Sequence, residues 1–121
     1  MRTVAVFGGT GFLGREIARK LAQSGWAVRA VSRHSPSAHL FRDVPGVSHQ
    51  QADVRDEAST ASALQGVDAA VNAVSLYVES RSLRFEAIHV GGAERVARLA
   101  QQAGVPALVH ISGIGVSTES D

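Results

Sequence analysis

The stretch VAVFGGTGFLG, residues 4–14, decides the fold of this chain of 121 residues. Its first four residues are apolar and rich in β-branched side chains, which predicts a short buried strand. Three glycines follow, Gly8, Gly11 and Gly14, each separated from the next by two residues. An amphipathic helical pattern begins at once, so the stretch predicts a strand, a glycine turn and a helix in direct succession.

Glycines at these three positions suit the binding of a dinucleotide pyrophosphate. Gly8 allows a tight turn out of the strand, Gly11 lets a phosphate approach the backbone, and Gly14 lets the helix pack near the strand. The N–H groups at the start of that helix then face the phosphates. The same residues fit both G-x-x-G-x-x-G and G-x-G-x-x-G, and the alternative is a strand-to-helix turn that holds no ligand.

The rest of the chain continues the alternation of strands and helices. Gly25 is predicted to cap the first helix, and a second strand over 26–31 completes a β-α-β unit. Right-handed crossovers then give one doubly wound parallel sheet, a Rossmann domain over residues 1–121 with strand order 3-2-1-4-5. The further elements predicted are a short helix over 36–43, a strand over 47–52, a helix from Asp56 to Gln65, a strand over 67–74, a long helix from Ser80 or Ser82 to Ala103, and a strand over 107–111.

The end of the second strand is where such domains select their cofactor. A carboxylate there binds the ribose 2′-hydroxyl of NAD, whereas an arginine accommodates the 2′-phosphate of NADP. The chain has Ser32 and Arg33 at this place and no carboxylate. We therefore expect NADP(H) to be preferred, with NAD(H) as the alternative if Arg33 is an ordinary surface residue.

Two later strand ends complete the predicted site. Asp53 either holds the adenine amino group or only caps the next turn, and Asn72-Ala73-Val74 leaves room for a cofactor. The predicted cofactor-binding residues are Gly8, Gly9, Thr10, Gly11, Phe12, Leu13, Gly14, Ser32, Arg33, Asp53, Val54, Asn72, Ala73 and Val74.

Composition excludes several other classes of function. The 12 basic and 11 acidic residues give a net charge of +1, so no nucleic-acid partner is expected. There is no cysteine, and none of the five histidines has the spacing of a metal site, so no metal is expected. No stretch is long enough to span a membrane, and no signal peptide precedes the first strand, so a cytoplasmic protein is expected.

The glycine stretch, Asp53-Val54 and Asn72-Ala73-Val74 together resemble the extended and atypical short-chain dehydrogenase/reductase superfamily, over its amino-terminal half. A narrower likeness lies in residues 71–77, 85–93 and 110–112. These resemble the branch that contains the nucleotide-binding accessory subunit of respiratory complex I, often labelled NAD-dependent epimerase/dehydratase.

The resemblance implies roles for individual residues. Gly8, Gly11 and Gly14 would hold the pyrophosphate, Asp53 would contact adenine, and Arg33 would select NADP(H). The backbone at Ala73 and Val74 would border the adenosine or ribose, and Ser112, a weak catalytic candidate, would lie beside the nicotinamide.

The catalytic Tyr-x-x-x-Lys of these enzymes is not found in the chain. Its one tyrosine, Tyr77, follows the fourth strand and is read as a wall of the cleft or a packing residue, and its one lysine, Lys20, lies in the first helix. The chain is therefore interpreted as the cofactor-binding half of an oxidoreductase or epimerase whose substrate is unknown. The alternative is a non-catalytic nucleotide-binding subunit or redox sensor, and an exposed sheet edge would favour a homodimer.

Overall fold

The computed structural model describes residues 2–9, 12–33, 41, 44–73 and 91–111, which form one parallel sheet with helices on both faces. The strands are β1 (Thr3–Phe7), β2 (Ala27–Ser32), β3 (Val47–Gln51), β4 (Ala69–Asn72) and β5 (Ala107–His110). The helices are α1 (Phe12–Gln23), α2 (Glu57–Ala63) and α3 (Gly91–Gln102). The strand order is β3-β2-β1-β4-β5 and every pair is parallel, which confirms the predicted Rossmann topology.

The central strand β1 divides the core into two halves. Val4 and Val6 face α1 and pack with its buried Ala18, whereas Ala5 and Phe7 point to the opposite face. These four of the five β1 side chains are at most 1% exposed, as expected where helices cover both faces of a parallel sheet.

The second half of the core is formed by α2 and α3. Leu64, just after α2, and Val96 in α3 are fully buried against Phe7. Arg29 of β2 connects the end of α2 to the sheet by donating to the Ala63 and Gln65 carbonyl oxygens. Arg95 connects α3 to the loop after β3 by donating to the Val54 carbonyl oxygen.

The predicted helix ends are largely confirmed. Asp56 caps α2, because its Oδ2 accepts a hydrogen bond of 2.8 Å from the Ser59 N–H. Gly25, Gly66 and Gly104 all have positive φ just beyond the three helices, the conformation that a glycine stop requires.

Some predicted bounds were wrong by one or two residues. Trp26 does not begin β2, because its N–H donates to the Leu21 carbonyl and so belongs to the turn that closes α1. The third strand ends at Gln51 rather than at residue 52, and α2 runs over 57–63 rather than to Gln65, because its last turn tightens through a bond from the Leu64 N–H to the Ala61 carbonyl.

The fourth strand is Ala69–Asn72 instead of 67–74, and Val74 lies outside the described residues. The short helix predicted over 36–43 and the start of the long helix at Ser80 or Ser82 also fall outside them, apart from residue 41.

The strand β5 lies at one edge of the described sheet and is exposed along its whole length. Leu108 is 37% exposed and Val109 is 55% exposed. Apolar side chains on an unpaired edge are a surface that another strand or chain can cover.

Candidate functional site

The carboxyl ends of the strands bring the predicted residues to one edge of the sheet. Phe7, the last residue of β1, is in register with Val31 on one side and with Asn72 on the other. The residues that follow these three, Gly8, Ser32 and Ala73, therefore lie side by side along this edge. Ligands of doubly wound sheets bind at such a position, where the order of the strands reverses.

The turn after β1 depends on glycine for two separate reasons. Gly8 has a φ of +81°, and its N–H donates to the Val31 carbonyl at 2.8 Å. The N–H of Gly9 donates to the same oxygen at 3.2 Å, and a Cβ on Gly9 would lie 2.9 Å from both the Ala30 Cβ and the Val6 carbonyl oxygen. The turn is thus pressed against β2, and Gly9 is required for packing.

Gly14 brings the first helix onto this turn. A Cβ on Gly14 would lie 1.9 Å from the carbonyl oxygen of Gly8 and 2.6 Å from its carbonyl carbon. Only a residue without a side chain allows this approach. The structure agrees with the predicted packing role of Gly14 and explains why α1 can start at Phe12, so close to the end of β1.

The start of α1 supplies the donors that a phosphate needs. The N–H groups of the first helical turn, at Phe12, Leu13 and Gly14, have no carbonyl one turn earlier in the helix to bind. They point toward the edge where the strands end, together with the positive end of the helix dipole. The residues therefore fit the pyrophosphate of a dinucleotide. The glycine turn and the first turn of α1 are called the glycine cradle below. Thr10 and Gly11, also predicted to belong to it, lie outside the described residues.

The end of β2 presents Ser32 and Arg33 next to this cradle. The Ser32 hydroxyl is 2.8 Å from the Nε2 of His49 in β3. Arg33 is exposed, and its backbone carbonyl accepts a hydrogen bond of 2.9 Å from the Gln51 side chain. Residue 33 is therefore anchored through its backbone while its guanidinium remains at the surface.

The Asp53 carboxylate is engaged by its neighbour Arg55. Its Oδ1 accepts the Arg55 N–H at 2.9 Å, and Arg55 Nη2 donates to Oδ2 at 2.8 Å. The hydrogen bonds from the Arg55 side chain are the largest cause that holds the pKa of Asp53 below its ordinary value, and the bond from the Arg55 backbone N–H and the positive charge of Arg33 act in the same direction. The structure thus shows the turn-capping interaction that the sequence left open, while the adenine contact stays a prediction.

At the end of β4, Asn72 is 4% exposed and its Nδ2 lies 3.2 Å from the His110 Nδ1 in β5. The N–H of Ala73 donates to the Phe7 carbonyl at 2.8 Å, so Ala73 lies beside the glycine turn, while its contact with the adenosine or ribose stays a prediction. Asn72 and Ser32 therefore each contact a histidine of the neighbouring strand, His110 of β5 and His49 of β3.

Sequence reasoning missed three residues at this edge: His49, Gln51 and Arg55. The signal for Arg55 was local, since an aspartate often binds the backbone N–H two residues on. His49 and Gln51 required the register of β2 with β3, which aligns Ala30 with His49 and Ser32 with Gln51.

Catalytic groups are not assembled in the described part of the chain. Val54, a predicted site residue, is buried in the core, and Lys20 is exposed on α1. Val74, Tyr77 and Ser112 lie outside the described residues. Among the described residues, no group of three acidic or histidine side chains could hold a metal ion, and no helix is long and apolar enough to cross a membrane.

A parallel sheet of this order, with a glycine turn leading into a helix at the switch point, defines a Rossmann-type dinucleotide-binding domain. Residues 8–121 match the model of the NAD(P)H-binding family, and the chain belongs to this family. It is an NAD(P)(H)-binding domain of the extended short-chain dehydrogenase/reductase type.

Curated relatives and solved structures share this domain. Rat NADH dehydrogenase (ubiquinone) 1 alpha subcomplex subunit 9, mitochondrial, is 29% identical over 95% of the chain and 32% of its own length. Ceramide reductase from Caulobacter vibrioides is 32% identical over 84% of the chain and 32% of its own length. UDP-glucose-4-epimerase from Stenotrophomonas maltophila, solved with bound NAD, matches with a TM-score of 0.79 and 26% identity over 100% of the chain and 40% of its own length. The chain thus spans about a third of the curated relatives that it matches.

Proposed function

We propose that this domain binds NADP(H) in preference to NAD(H). The observation that carries the proposal is the end of β2, where Arg33 is exposed at the place that a carboxylate occupies in NAD-binding domains. Arg33 would pair with the 2′-phosphate, and Ser32 would donate a hydrogen bond to it. The glycine turn and the first turn of α1 would hold the pyrophosphate.

The charges around Arg33 support this assignment. Asp53 is the carboxylate whose pKa Arg33 affects, and it is already paired in bidentate fashion with Arg55. The pair is close to neutral, so the guanidinium of Arg33 contributes a net positive charge at this corner of the sheet. A 2′-phosphate would gain from that charge, whereas a 2′-hydroxyl would gain little.

The test is a parallel titration of the purified protein with NADPH and NADH, in the wild type and in Arg33→Ala. We expect the variant to lose roughly 10- to 100-fold in NADPH affinity, the range for hydrogen bonds to a charged group, and to bind NADH nearly as before. Arg98→Ala is the matched control, because Arg98 is an exposed arginine of α3 that pairs with Glu57 at 3.0 Å. An equal loss of affinity for both cofactors in Arg33→Ala, or tighter binding of NADH than of NADPH by the wild type, would refute the NADP(H) assignment.

For the complete protein we infer hydride transfer between the nicotinamide and a carbonyl or alcohol carbon. The named activities of the ceramide reductase and epimerase relatives support this inference. The tyrosine and lysine of the catalytic pair would lie outside the 121 residues. A complete sequence with Tyr-x-x-x-Lys downstream of Asp121, together with substrate-dependent NADPH oxidation, is the expected result.

A second candidate is a nucleotide-binding subunit that does no chemistry. The match to the NADH dehydrogenase subunit, at 29% identity over 95% of the chain, favours it. A complete protein that lacks the tyrosine or the lysine and still binds NADPH would establish this function.

The exposed edge at β5 is proposed as the contact of a homodimer, which sedimentation would detect. The cytoplasmic location stays a prediction, since several relatives are named mitochondrial.

A further inference from the structure

The hydroxyl that would meet the 2′-phosphate is itself hydrogen-bonded to a histidine. Ser32 Oγ lies 2.8 Å from His49 Nε2, and both side chains are half-buried. His49 is aligned with Ala30 of β2, the residue against which Gly9 packs. The pair therefore lies on the same face of the sheet as α1 and the glycine turn.

This hydrogen bond can run in two directions with different consequences for a ligand. If Ser32 donates to His49, the serine oxygen offers only its lone pairs to the cofactor, which suits a ribose hydroxyl. If the Nε2–H of His49 donates to Ser32, the serine can give its own proton to the cofactor. A phosphate presents acceptor oxygens, so it can accept a hydrogen bond from Ser32 only in the second arrangement. The chain from imidazole to hydroxyl to phosphate is then cooperative.

We propose that His49 is a positioning residue for cofactor selection: it donates from Nε2 to Ser32 and so directs the serine proton to the 2′-phosphate of NADP(H). This inference rests on the proposed use of the β2 end as the 2′-phosphate site. His49 does not touch the cofactor itself. Its effect passes through Ser32. The binding of NADH depends less on His49, because a ribose hydroxyl can pair with Ser32 in either direction of the bond.

The experiment measures dissociation constants of NADPH and NADH for His49→Phe, Ser32→Ala and the double variant. Each single variant is expected to shift the NADPH-to-NADH affinity ratio toward NADH by about 3- to 10-fold, the effect of one hydrogen bond. The double variant is expected to shift it no further than Ser32→Ala alone, because His49 acts through that serine. Gln50→Ala is the control on the same strand, since Gln50 points to the other face and lies 3.4 Å from the Ser62 hydroxyl.

Rescue by a conservative variant separates positioning from packing. His49→Gln has an amide N–H that can donate to Ser32, and it is expected to keep more of the NADPH preference than His49→Phe. Equal weakening of both cofactors in His49→Phe, an additive double variant, or no advantage for His49→Gln would each overturn the inference.

Nitrogen-15 spectra of the wild-type imidazoles decide the question if His49→Phe does not fold. A protonated Nε2 on His49 in the NADPH complex is expected, and an unprotonated Nε2 there would overturn the inference. A wild type without NADPH preference would refute the proposed selection by Arg33, yet the shift of the ratio in His49→Phe would still decide the role of His49. Absence of binding to either cofactor would overturn both.

Discussion

The contact between Gly14 and Gly8 gives the sharpest test of how the first helix is held. In Gly14→Ala the new methyl carbon would lie 1.9 Å from the Gly8 carbonyl oxygen and 3.0 Å from the Gly9 Cα. These are backbone atoms of a turn that is itself bonded to Val31, so no side chain can swing away. The start of α1 has to move outward by about 1 Å, in an interior that is close-packed.

The change in the free energy of unfolding of Gly14→Ala follows from two opposing effects. Overpacking of this kind costs about 3 kcal/mol at the upper end of its usual range, because backbone must shift. Alanine stabilises a helix by about 1 kcal/mol relative to glycine, since it loses less backbone entropy on folding. The free energy of unfolding should therefore fall by about 2 kcal/mol, a roughly 30-fold change in the unfolding equilibrium.

Urea unfolding followed through Trp26, the only tryptophan of the chain, measures this change. With a typical slope, the midpoint should fall by about 1 M. NADPH affinity should fall as well, because the displaced helix no longer presents its first N–H groups to the pyrophosphate. Gly66→Ala is the matched control: φ is +74° with nothing within 4 Å of the new Cβ, so it should cost stability by backbone strain alone and leave NADPH binding unchanged. A Gly14→Ala protein with wild-type stability and affinity would refute the reasoning.

Two further predictions concern groups that hold the frame of the site. Arg29→Met should lower the free energy of unfolding by roughly 1.5–3 kcal/mol, because it removes the charged donor from the Ala63 and Gln65 carbonyls at 2.7 and 3.0 Å; chemical denaturation measures this, and an unchanged midpoint would contradict it. The lowered pKa of Asp53 means that its ionised form is favoured in the folded protein, so its contribution is complete above its ordinary value of 3.8 and is lost as the pH falls through the lower folded value. The stability difference between wild type and Asp53→Asn should therefore be constant from pH 7 to 5 and shrink below about pH 4. Urea midpoints at each pH measure this difference, and a difference that grows in acid would contradict the lowered pKa of Asp53.

Local sequence signals determined the order and type of the elements. The apolar run before Gly8, the glycines after each helix and the Asp56 cap all act within a few residues, so their effects can be recognised without knowing the fold. The strand order followed from the right-handed crossover rule together with the β-α alternation. The bounds were less certain because capping turns such as that at Trp26 share residues with the neighbouring strand.

Only the tertiary structure decided which side chains meet. Ser32 and His49 are 17 residues apart, Asn72 and His110 are 38 apart, and Arg95 reaches a carbonyl 41 residues earlier. Each contact depends on the register of parallel strands or on the seating of a helix, and a shift by one residue would turn these side chains to the other face of the sheet. The sequence by itself therefore determined that a glycine cradle and an arginine would stand at one edge of a Rossmann sheet. The register of β2 with β3 decided that a histidine would hold the serine beside that arginine.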